Sequence, residues 1–205
     1  MNNFDLYIIT DRELTRKTIL DDVKQALASG VRIIQYREKE KSTKDMVNEA
    51  NKIKKLCEGK ATFLINDRID VALASDADGV HLGQDDMPYE VARKILGNKI
   101  IGLTVHNVKE AINAEKIGAD YLGVSPIFQT TTKLDAGKPA GLNLIEEIKK
   151  VTNIPLVGIG GINLDNVLSV IKAGAQGAAV ISAILTKEDI QLECDKFRGI
   201  INDTT

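Results

Sequence analysis

Eight short runs of apolar residues recur along the chain, separated by longer segments of mixed polarity. Most runs are apolar almost throughout and are bounded by Gly, Asp or Pro, which is typical of strands buried on both faces of a parallel sheet. The pattern therefore predicts eight buried parallel strands. They are residues 6–9, 32–36, 62–65, 79–82, 100–103, 121–124, 156–159 and 178–181.

The segments between these runs have helical spacing. Residues 18–29, 43–57 and 164–173 place apolar side chains three or four positions apart, on one stripe of a helix. A weak internal repeat supports the alternation, since each copy is a helix end, a Gly or small-residue turn, and then a strand. The copies are residues 28–34, 75–82, 117–123 and 173–180.

Eight strands, each followed by a helical segment, predict an α/β fold. In 205 residues this pattern fits a (β/α)₈ TIM barrel that forms a single domain over residues 1–205. A doubly wound open sheet is the alternative, although it usually needs fewer strands. The barrel has a consequence for chemistry, because reactive residues of such barrels lie where strands end and the following loops begin.

Composition excludes several classes of protein. Apolar residues make up 43% and charged residues 27% of the chain, and the net charge is −2, so nothing favours nucleic acid or an anionic membrane as partner. Cys57 and Cys194 lie too far apart for a metal motif or a disulfide framework, which favours a reducing cytoplasm. Neither a signal peptide nor a membrane span is expected from the hydropathy pattern.

The second strand runs into alternating polar residues. Gln35, Arg37 and Lys39 share one face of an extended chain, and two cations beside an amide suit a phosphate or diphosphate. The alternative is a solvated charge run that continues into residues 40–41.

Asp67 follows the third strand, and Asp85 and Asp86 follow the fourth. Neighbouring strands lie about 5 Å apart, so two of these carboxylates can converge. Paired carboxylates beside a basic rim favour Mg²⁺, which takes its remaining ligands from phosphate and water. The alternative is that these aspartates cap the helices that follow them.

Histidine chemistry is poorly indicated. His81 and His106 are the only histidines. His81 lies inside a strand, which favours a packed residue, while His106 follows the fifth strand close to Thr104 and is a weaker candidate for a general base.

The sixth strand leads into the longest irregular segment, residues 125–141. Its length, its hydroxyls and Lys133 suggest a phosphate-binding lid, with simple surface disorder as the alternative. After the seventh strand, Gly160 and Gly161 let the backbone approach a ligand closely, and Ser182 follows the eighth strand. A plain glycine turn is the alternative to a second phosphate site.

The sequence thus predicts two anion sites at one barrel mouth. Side-chain cations and the candidate metal ligands form one site, and backbone amides with hydroxyls form the other. A sugar phosphate isomerase needs one anion site and an acid–base pair, which this sequence indicates poorly. Metal-assisted displacement of a diphosphate fits better.

These motifs resemble those of the thiamine phosphate synthase (thiamine-phosphate pyrophosphorylase) family, over nearly the whole chain. The most specific matches are Gln35-Tyr36-Arg37-Glu38-Lys39, Ile65-Asn66-Asp67-Arg68, Gly79-Val80-His81-Leu82-Gly83-Gln84, Pro126-Ile127-Phe128-Gln129-Thr130-Thr131-Thr132-Lys133 and Gly158-Ile159-Gly160-Gly161-Ile162. The resemblance implies that 4-amino-2-methyl-5-hydroxymethylpyrimidine diphosphate loses pyrophosphate, and that the nitrogen of a thiazole phosphate attacks the methylene carbon. Thiamine monophosphate and pyrophosphate are the products.

The resemblance also implies roles for individual residues, with Mg²⁺ as the cofactor. Arg37, Lys39 and Lys133 are expected to act on the leaving diphosphate. Asp67 and Asp86 are the expected metal ligands. The expected substrate contacts are Gln35, Tyr36, Glu38, Asn66 and Thr104 on the pyrimidine side, and Thr130, Thr132, Gly161, Ile181 and Ser182 on the thiazole side.

One residue departs from the family pattern, because Thr104 occupies a position that is usually Ser. The hydroxyl is retained, so the pyrimidine contact is expected to survive with some crowding.

The related thiazole tautomerase barrel is the nearest alternative, but it tends to lack the full Gln-x-Arg-x-Lys motif and the two aspartates. A catalytically silent barrel that senses phosphorylated metabolites is the alternative from a different class. The expected partners are small-molecule substrates and further copies of the chain in a homo-oligomer.

Overall fold

The computed structural model describes residues 4–130, 132 and 137–203, and these residues form a closed barrel of eight parallel strands. The strands are β1 (Leu6–Ile9), β2 (Ile33–Tyr36), β3 (Thr62–Asn66), β4 (Gly79–Leu82), β5 (Ile100–Val105), β6 (Tyr121–Val124), β7 (Leu156–Ile159) and β8 (Gly177–Val180). Each strand pairs with the next in sequence, and β1 pairs with β8 to close the barrel. The predicted (β/α)₈ barrel is confirmed.

Helices alternate with the strands around the outside. They are α1 (Ile19–Ala28), α2 (Thr43–Cys57), α3 (Ile69–Ala74), α4 (Tyr89–Leu96), α5 (Val108–Ile117), α6 (Leu142–Val151), α7 (Val167–Lys172), α8 (Ser182–Leu185) and α9 (Ile190–Asn202). Thr18 and Ser42 cap α1 and α2 by accepting from backbone N–H groups of the first turn. The caps explain why the helices begin close to the predicted positions.

Two strands extend further than their apolar runs predict. Asn66 is the last residue of β3, and Thr104 lies within β5, where it is paired with Gly123 of β6. Both polar residues are therefore held by the backbone ladder of the barrel rather than by a loop. A side chain on a strand is more firmly oriented than one on a loop, which matters for a binding site.

The core extends from the barrel interior to the layer between sheet and helices. Cys57 on α2 and Cys194 on α9 are free and buried in the outer layer, where they pack as small apolar side chains. Burial raises the pKa of both thiols to about 12. Among the described residues, no helix has the length and apolar character needed to cross a membrane.

Candidate active site

Two cavities open where the strands end at their carboxyl termini. The larger has a volume of about 210 Å³ and is lined by residues that follow β2 to β5, including Arg37, Lys39, Asp67 and Asp86. The smaller, of about 30 Å³, lies among the segments after β6, β7 and β8. Ser125, directly after β6, lines both cavities, so they meet at a shared wall.

Arg37 is held by the residues that follow β1. Its Nη1 donates to Asp11 Oδ2 at 2.6 Å, and both side chains are largely buried, with exposures of 16% and 8%. The backbone N–H of Arg37 donates to the Thr10 hydroxyl at 3.0 Å. Backbone and guanidinium are therefore both fixed before a ligand arrives. Asp11 is not among the site residues predicted from the sequence, although a carboxylate directly after the first strand is the signal that could have found it.

Lys39 and two aspartates form a compact charged cluster. Lys39 Nζ lies 2.6 Å from Asp67 Oδ2. The Asp67 carboxyl is also within hydrogen-bonding reach of Asp86, and Asp86 Oδ2 accepts from the backbone N–H of Gly83 at 2.7 Å. Burial, followed by the neighbouring Asp67 carboxyl, raises the pKa of Asp86 above its ordinary value.

The backbone of Asp67 is itself unusual. Its φ is +59°, in the left-handed region that non-glycine residues seldom adopt, and its N–H donates to the carbonyl of His81 at 2.9 Å. Neither aspartate caps a helix, because the N-cap positions of α3 and α4 are Arg68 and Pro88. The two carboxyls therefore converge as the sequence predicted, and the capping alternative does not hold.

The pyrimidine-side candidates differ in how they are placed. Thr104 lines the larger cavity together with Asn66. Gln35 is 1% exposed, and its Nε2 donates to the Tyr7 hydroxyl inside the barrel. Gln35 therefore lies inside the barrel and is not among the residues that line the larger cavity.

Tyr36 and Glu38 are not brought to the mouth. The Tyr36 hydroxyl donates to Glu49 Oε2 on α2 at 2.7 Å, and burial, followed by Glu49, raises the pKa of Tyr36. Glu38 accepts from the backbone N–H groups of residues 40 and 41. Alternation along the extended segment turns both side chains away from the face of Arg37. The structure corrects their predicted role in substrate contact to a structural one.

The smaller cavity is formed by backbone and hydroxyls. Gly160 and Gly161 have φ values of +100° and +65°, and a Cβ at Gly161 would overlap the backbone of residues 128–129. The Thr132 hydroxyl donates to the Ser182 hydroxyl at 3.2 Å, which links the loop after β6 to the start of α8. The cavity is lined by Ser125, Thr130, Thr132, Gly161, Ile181 and Ser182 among others.

Three further candidates complete the comparison with the sequence. Lys133 lies outside the described residues. His106 is paired with Glu110 of α5, and His106 Nδ1 lies 3.2 Å from Glu110 Oε2. The His106 ring is therefore engaged by the helix that follows it. His81 is buried inside the barrel, as its strand position predicted, and its ring nitrogens contact Tyr121 and Thr104.

Within the described residues, no group of three or more His, Cys, Asp or Glu side chains is arranged to hold a metal ion. Asp67 and Asp86 form a pair only. Magnesium does not need a larger protein ligand set, because it commonly keeps several waters and takes phosphate oxygens alongside one or two carboxylates. The donor set is therefore compatible with magnesium and unlike a structural zinc site.

The fold and the position of these polar clusters define the class of the protein as a (β/α)₈-barrel enzyme. The family model described as thiamine monophosphate synthase matches residues 6–184. The thiamine-phosphate synthase of Methanosarcina mazei is 55% identical over 204 residues, covering 99% of this chain and 85% of that protein. The chain therefore belongs to the thiamine monophosphate synthase family and is a transferase of thiamine biosynthesis.

Further relatives agree with this assignment. The thiamine-phosphate synthase of Chloroflexus aurantiacus is 45% identical over 201 residues, covering 97% of this chain and 93% of that protein. The solved structure of a thiamine phosphate pyrophosphorylase from Pyrococcus furiosus superposes with a TM-score of 0.92 at 44% identity. It covers 98% of this chain and 97% of that chain.

Proposed function

We propose that the chain joins 4-amino-2-methyl-5-hydroxymethylpyrimidine diphosphate to a thiazole phosphate and releases thiamine monophosphate and pyrophosphate. The observation that carries this proposal is the shared wall at Ser125 between a cavity lined by cations and carboxylates and a cavity lined by glycine and hydroxyls. Two phosphorylated substrates that must react with each other need adjoining sites of this kind.

Asp67 and Asp86 would hold Mg²⁺. Two carboxyls at hydrogen-bonding distance repel one another when both are ionised, and the Asp67 carboxyl adds to the effect of burial in raising the pKa of Asp86. A divalent cation would remove the repulsion. When bound, magnesium would neutralise charge on the departing diphosphate.

Arg37 and Lys39 would bind the diphosphate oxygens and stabilise the charge that develops as the group leaves. Arg37 offers a planar fork that is already oriented by Asp11, and Lys39 offers a mobile point charge. Lys133 would add a third cation. The bond between the methylene carbon and the diphosphate oxygen breaks with its electron pair on oxygen, which is why preorganised cations matter most.

The thiazole phosphate would occupy the smaller cavity. Gly161 allows the backbone to approach the phosphate, Thr130, Thr132 and Ser182 supply hydroxyl donors, and Ile181 covers its wall. The thiazole nitrogen already carries a lone pair, so it forms the new bond to carbon without a protein general base. This accounts for the weak signal for a catalytic histidine in the sequence.

Gln35, Asn66 and Thr104 would hold the aminopyrimidine ring. The ring can delocalise positive charge from the methylene carbon once the diphosphate leaves, so water must be kept away from that carbon. Closure of the segment after β6 would exclude water. Reaction within the cytoplasm, and association of several copies of the chain, remain expectations from the sequence.

The proposal is tested by supplying both substrates with Mg²⁺ and, in a matched reaction, with EDTA. We expect thiamine monophosphate and pyrophosphate in equal amounts, and loss of both when the metal is removed. Conversion of the thiazole ligand alone without metal would instead indicate a tautomerase. Binding of both ligands without product would indicate a sensor.

A further inference from the structure

Four buried side chains and the half-buried Thr104 form one chain of hydrogen bonds across the barrel interior. This chain, the polar relay, consists of Gln35, Tyr7, Tyr121, His81 and Thr104. Gln35 Nε2 contacts the Tyr7 hydroxyl, which lies 2.9 Å from the Tyr121 hydroxyl. Tyr121 Oη lies 2.9 Å from His81 Nδ1, and His81 Nε2 lies 2.8 Å from Thr104 Oγ1. The relay connects β2, β1, β6, β4 and β5.

We propose that every donor in the polar relay points the same way, from the Gln35 amide to Thr104, so that His81 is a neutral imidazole with its proton on Nε2. The direction follows from counting protons. The amide Nε2 of Gln35 can only donate, so the single proton of Tyr7 is directed to Tyr121. The proton of Tyr121 then goes to His81 Nδ1, which must carry a lone pair.

With Nδ1 as an acceptor, Nε2 of His81 donates to the Thr104 oxygen. With Gln35 Nε2 facing Tyr7, any other assignment leaves a buried hydroxyl proton without an acceptor, which costs about 1–3 kcal/mol in a site closed to water. Tyr7 and Tyr121 are fully buried, and burial raises the pKa of each, so both act as neutral hydroxyls.

The barrel is shaped to hold this arrangement. The ring of Tyr121 packs against the rings of Phe4, Tyr7 and His81, with centroid distances of 5.4, 6.1 and 5.4 Å. Neighbouring strand positions lack side chains where these rings lie. A Cβ at Gly102 would overlap the Tyr121 ring, and a Cβ at Gly123 would approach His81 Cε1 to 2.9 Å.

The direction of the relay decides what its two ends offer a ligand. Thr104 receives a hydrogen bond from His81 and keeps its own proton, so it is a donor at the wall of the larger cavity. At the other end Gln35 Oε1 is a buried acceptor without a hydrogen-bond partner among the described residues, and it would accept from a ligand group that inserts beyond the cavity wall. This pair suits a heteroaromatic ring that carries an acceptor nitrogen and an amino group.

The inference rests on the proposed function in its choice of ligand, and it makes Tyr7, Tyr121 and His81 positioning residues. They act on the substrate through Gln35 and Thr104. If Gln35 were turned around, every proton would reverse, His81 would carry its proton on Nδ1, and Thr104 would become an acceptor. The tautomer of one histidine therefore reports the direction of the whole relay.

The decisive measurement is the ¹⁵N spectrum of the histidine rings in the ligand-free protein at neutral pH. The chain has two histidines, so the His106→Gln variant assigns the remaining signals to His81. We expect a protonated Nε2 and an unprotonated Nδ1. A proton on Nδ1, or on both nitrogens, overturns the proposal. This experiment needs no substrate, so its result stands apart from the fate of the proposed function.

A matched pair of variants tests the positioning role. Tyr7→Phe removes one hydroxyl inside the relay, and Tyr36→Phe removes one buried hydroxyl that bonds to Glu49 outside it. We expect Tyr7→Phe to lower kcat/KM for the pyrimidine diphosphate roughly tenfold, the effect of one hydrogen bond, with KM for the thiazole phosphate unchanged. Equal losses in both variants, or none in Tyr7→Phe, would contradict the role.

Discussion

The ammonium group of Lys39 lies 2.6 Å from a carboxylate oxygen of Asp67, beside the carboxyl of Asp86. In the ligand-free protein this ammonium partly offsets the charge of the two acids. It is also one of the three cations proposed to bind the diphosphate, so the same side chain competes with a metal ion and assists the leaving group.

Replacing Lys39 separates these two effects. We expect Lys39→Met to tighten Mg²⁺ binding to the ligand-free protein by up to about fivefold, since exposed ion pairs contribute about 0.2–1 kcal/mol. Turnover should fall by about 100-fold, because the diphosphate loses a cation. Titration calorimetry with Mg²⁺ measures the first effect. Lys41→Met is the control, since Lys41 pairs with Glu49 instead. Weaker Mg²⁺ binding to Lys39→Met would refute the competition.

Asp11 should act through Arg37. We expect Arg37→Ala to lower kcat/KM for the pyrimidine diphosphate by about 100- to 1,000-fold, the usual effect of removing one preorganised donor. Asp11→Asn should lower it by about tenfold, because the guanidinium loses its charged partner. The double variant should be no worse than Arg37→Ala alone, since residues that work as one unit are not additive. Additive losses in this cycle would show an independent role for Asp11.

The carboxyl pair should make stability depend on pH. Because the pKa of Asp86 is raised on folding, the folded protein binds more protons than the unfolded chain, and stability falls as pH rises through the raised value. In EDTA, Asp86→Asn should therefore melt at a higher temperature than the parent protein at about pH 8. The gain should shrink as pH falls and vanish below about pH 3, where the carboxyl is protonated in both states.

Asp85→Asn is the control for this melting series, because Asp85 is exposed and lies next to Asp86 in sequence. It should change the midpoint little at either pH. A gain in Asp86→Asn that is the same at every pH would exclude charge repulsion as its cause. Scanning calorimetry across the pH series provides the measurement.

Gly161 should be intolerant of any side chain. Gly161→Ala adds a Cβ at a residue with positive φ, and this Cβ would overlap the backbone of residues 128–129. The smaller cavity, which Gly161 lines, must therefore distort. We expect KM for the thiazole phosphate to rise by about tenfold or more, with a smaller effect on the pyrimidine diphosphate. Steady-state kinetics with each substrate varied in turn provides the test.

Gly59→Ala separates backbone strain from close approach. Gly59 also has a positive φ, +68°, but nothing lies within 4 Å of the position of its Cβ. The substitution should cost about 1–2 kcal/mol of stability through strain alone and leave both KM values unchanged. If Gly59→Ala raised KM for the thiazole phosphate as Gly161→Ala does, global strain would explain both.

Much of the site could be located from the sequence because a barrel places strand ends together. Arg37, Asp67 and Asp86 follow three consecutive strands, and the structure brings them to one cavity. Strand alternation also predicts that the side chains of Tyr36 and Gln35 face opposite ways. The sequence prediction nevertheless assigned the whole motif to substrate contact. The structure turns Tyr36 towards Glu49, so alternation was the better guide.

The sequence by itself determined the alternation of strands and helices and the polar residues at the strand ends, because these follow from local periodicity. Only the tertiary structure decided which distant groups meet. The hydroxyls of Tyr7 and Tyr121 are 114 positions apart in sequence and 2.9 Å apart in the barrel. Local periodicity assigns a side chain to a face, but closure of the sheet sets which side chains from opposite strands come into contact.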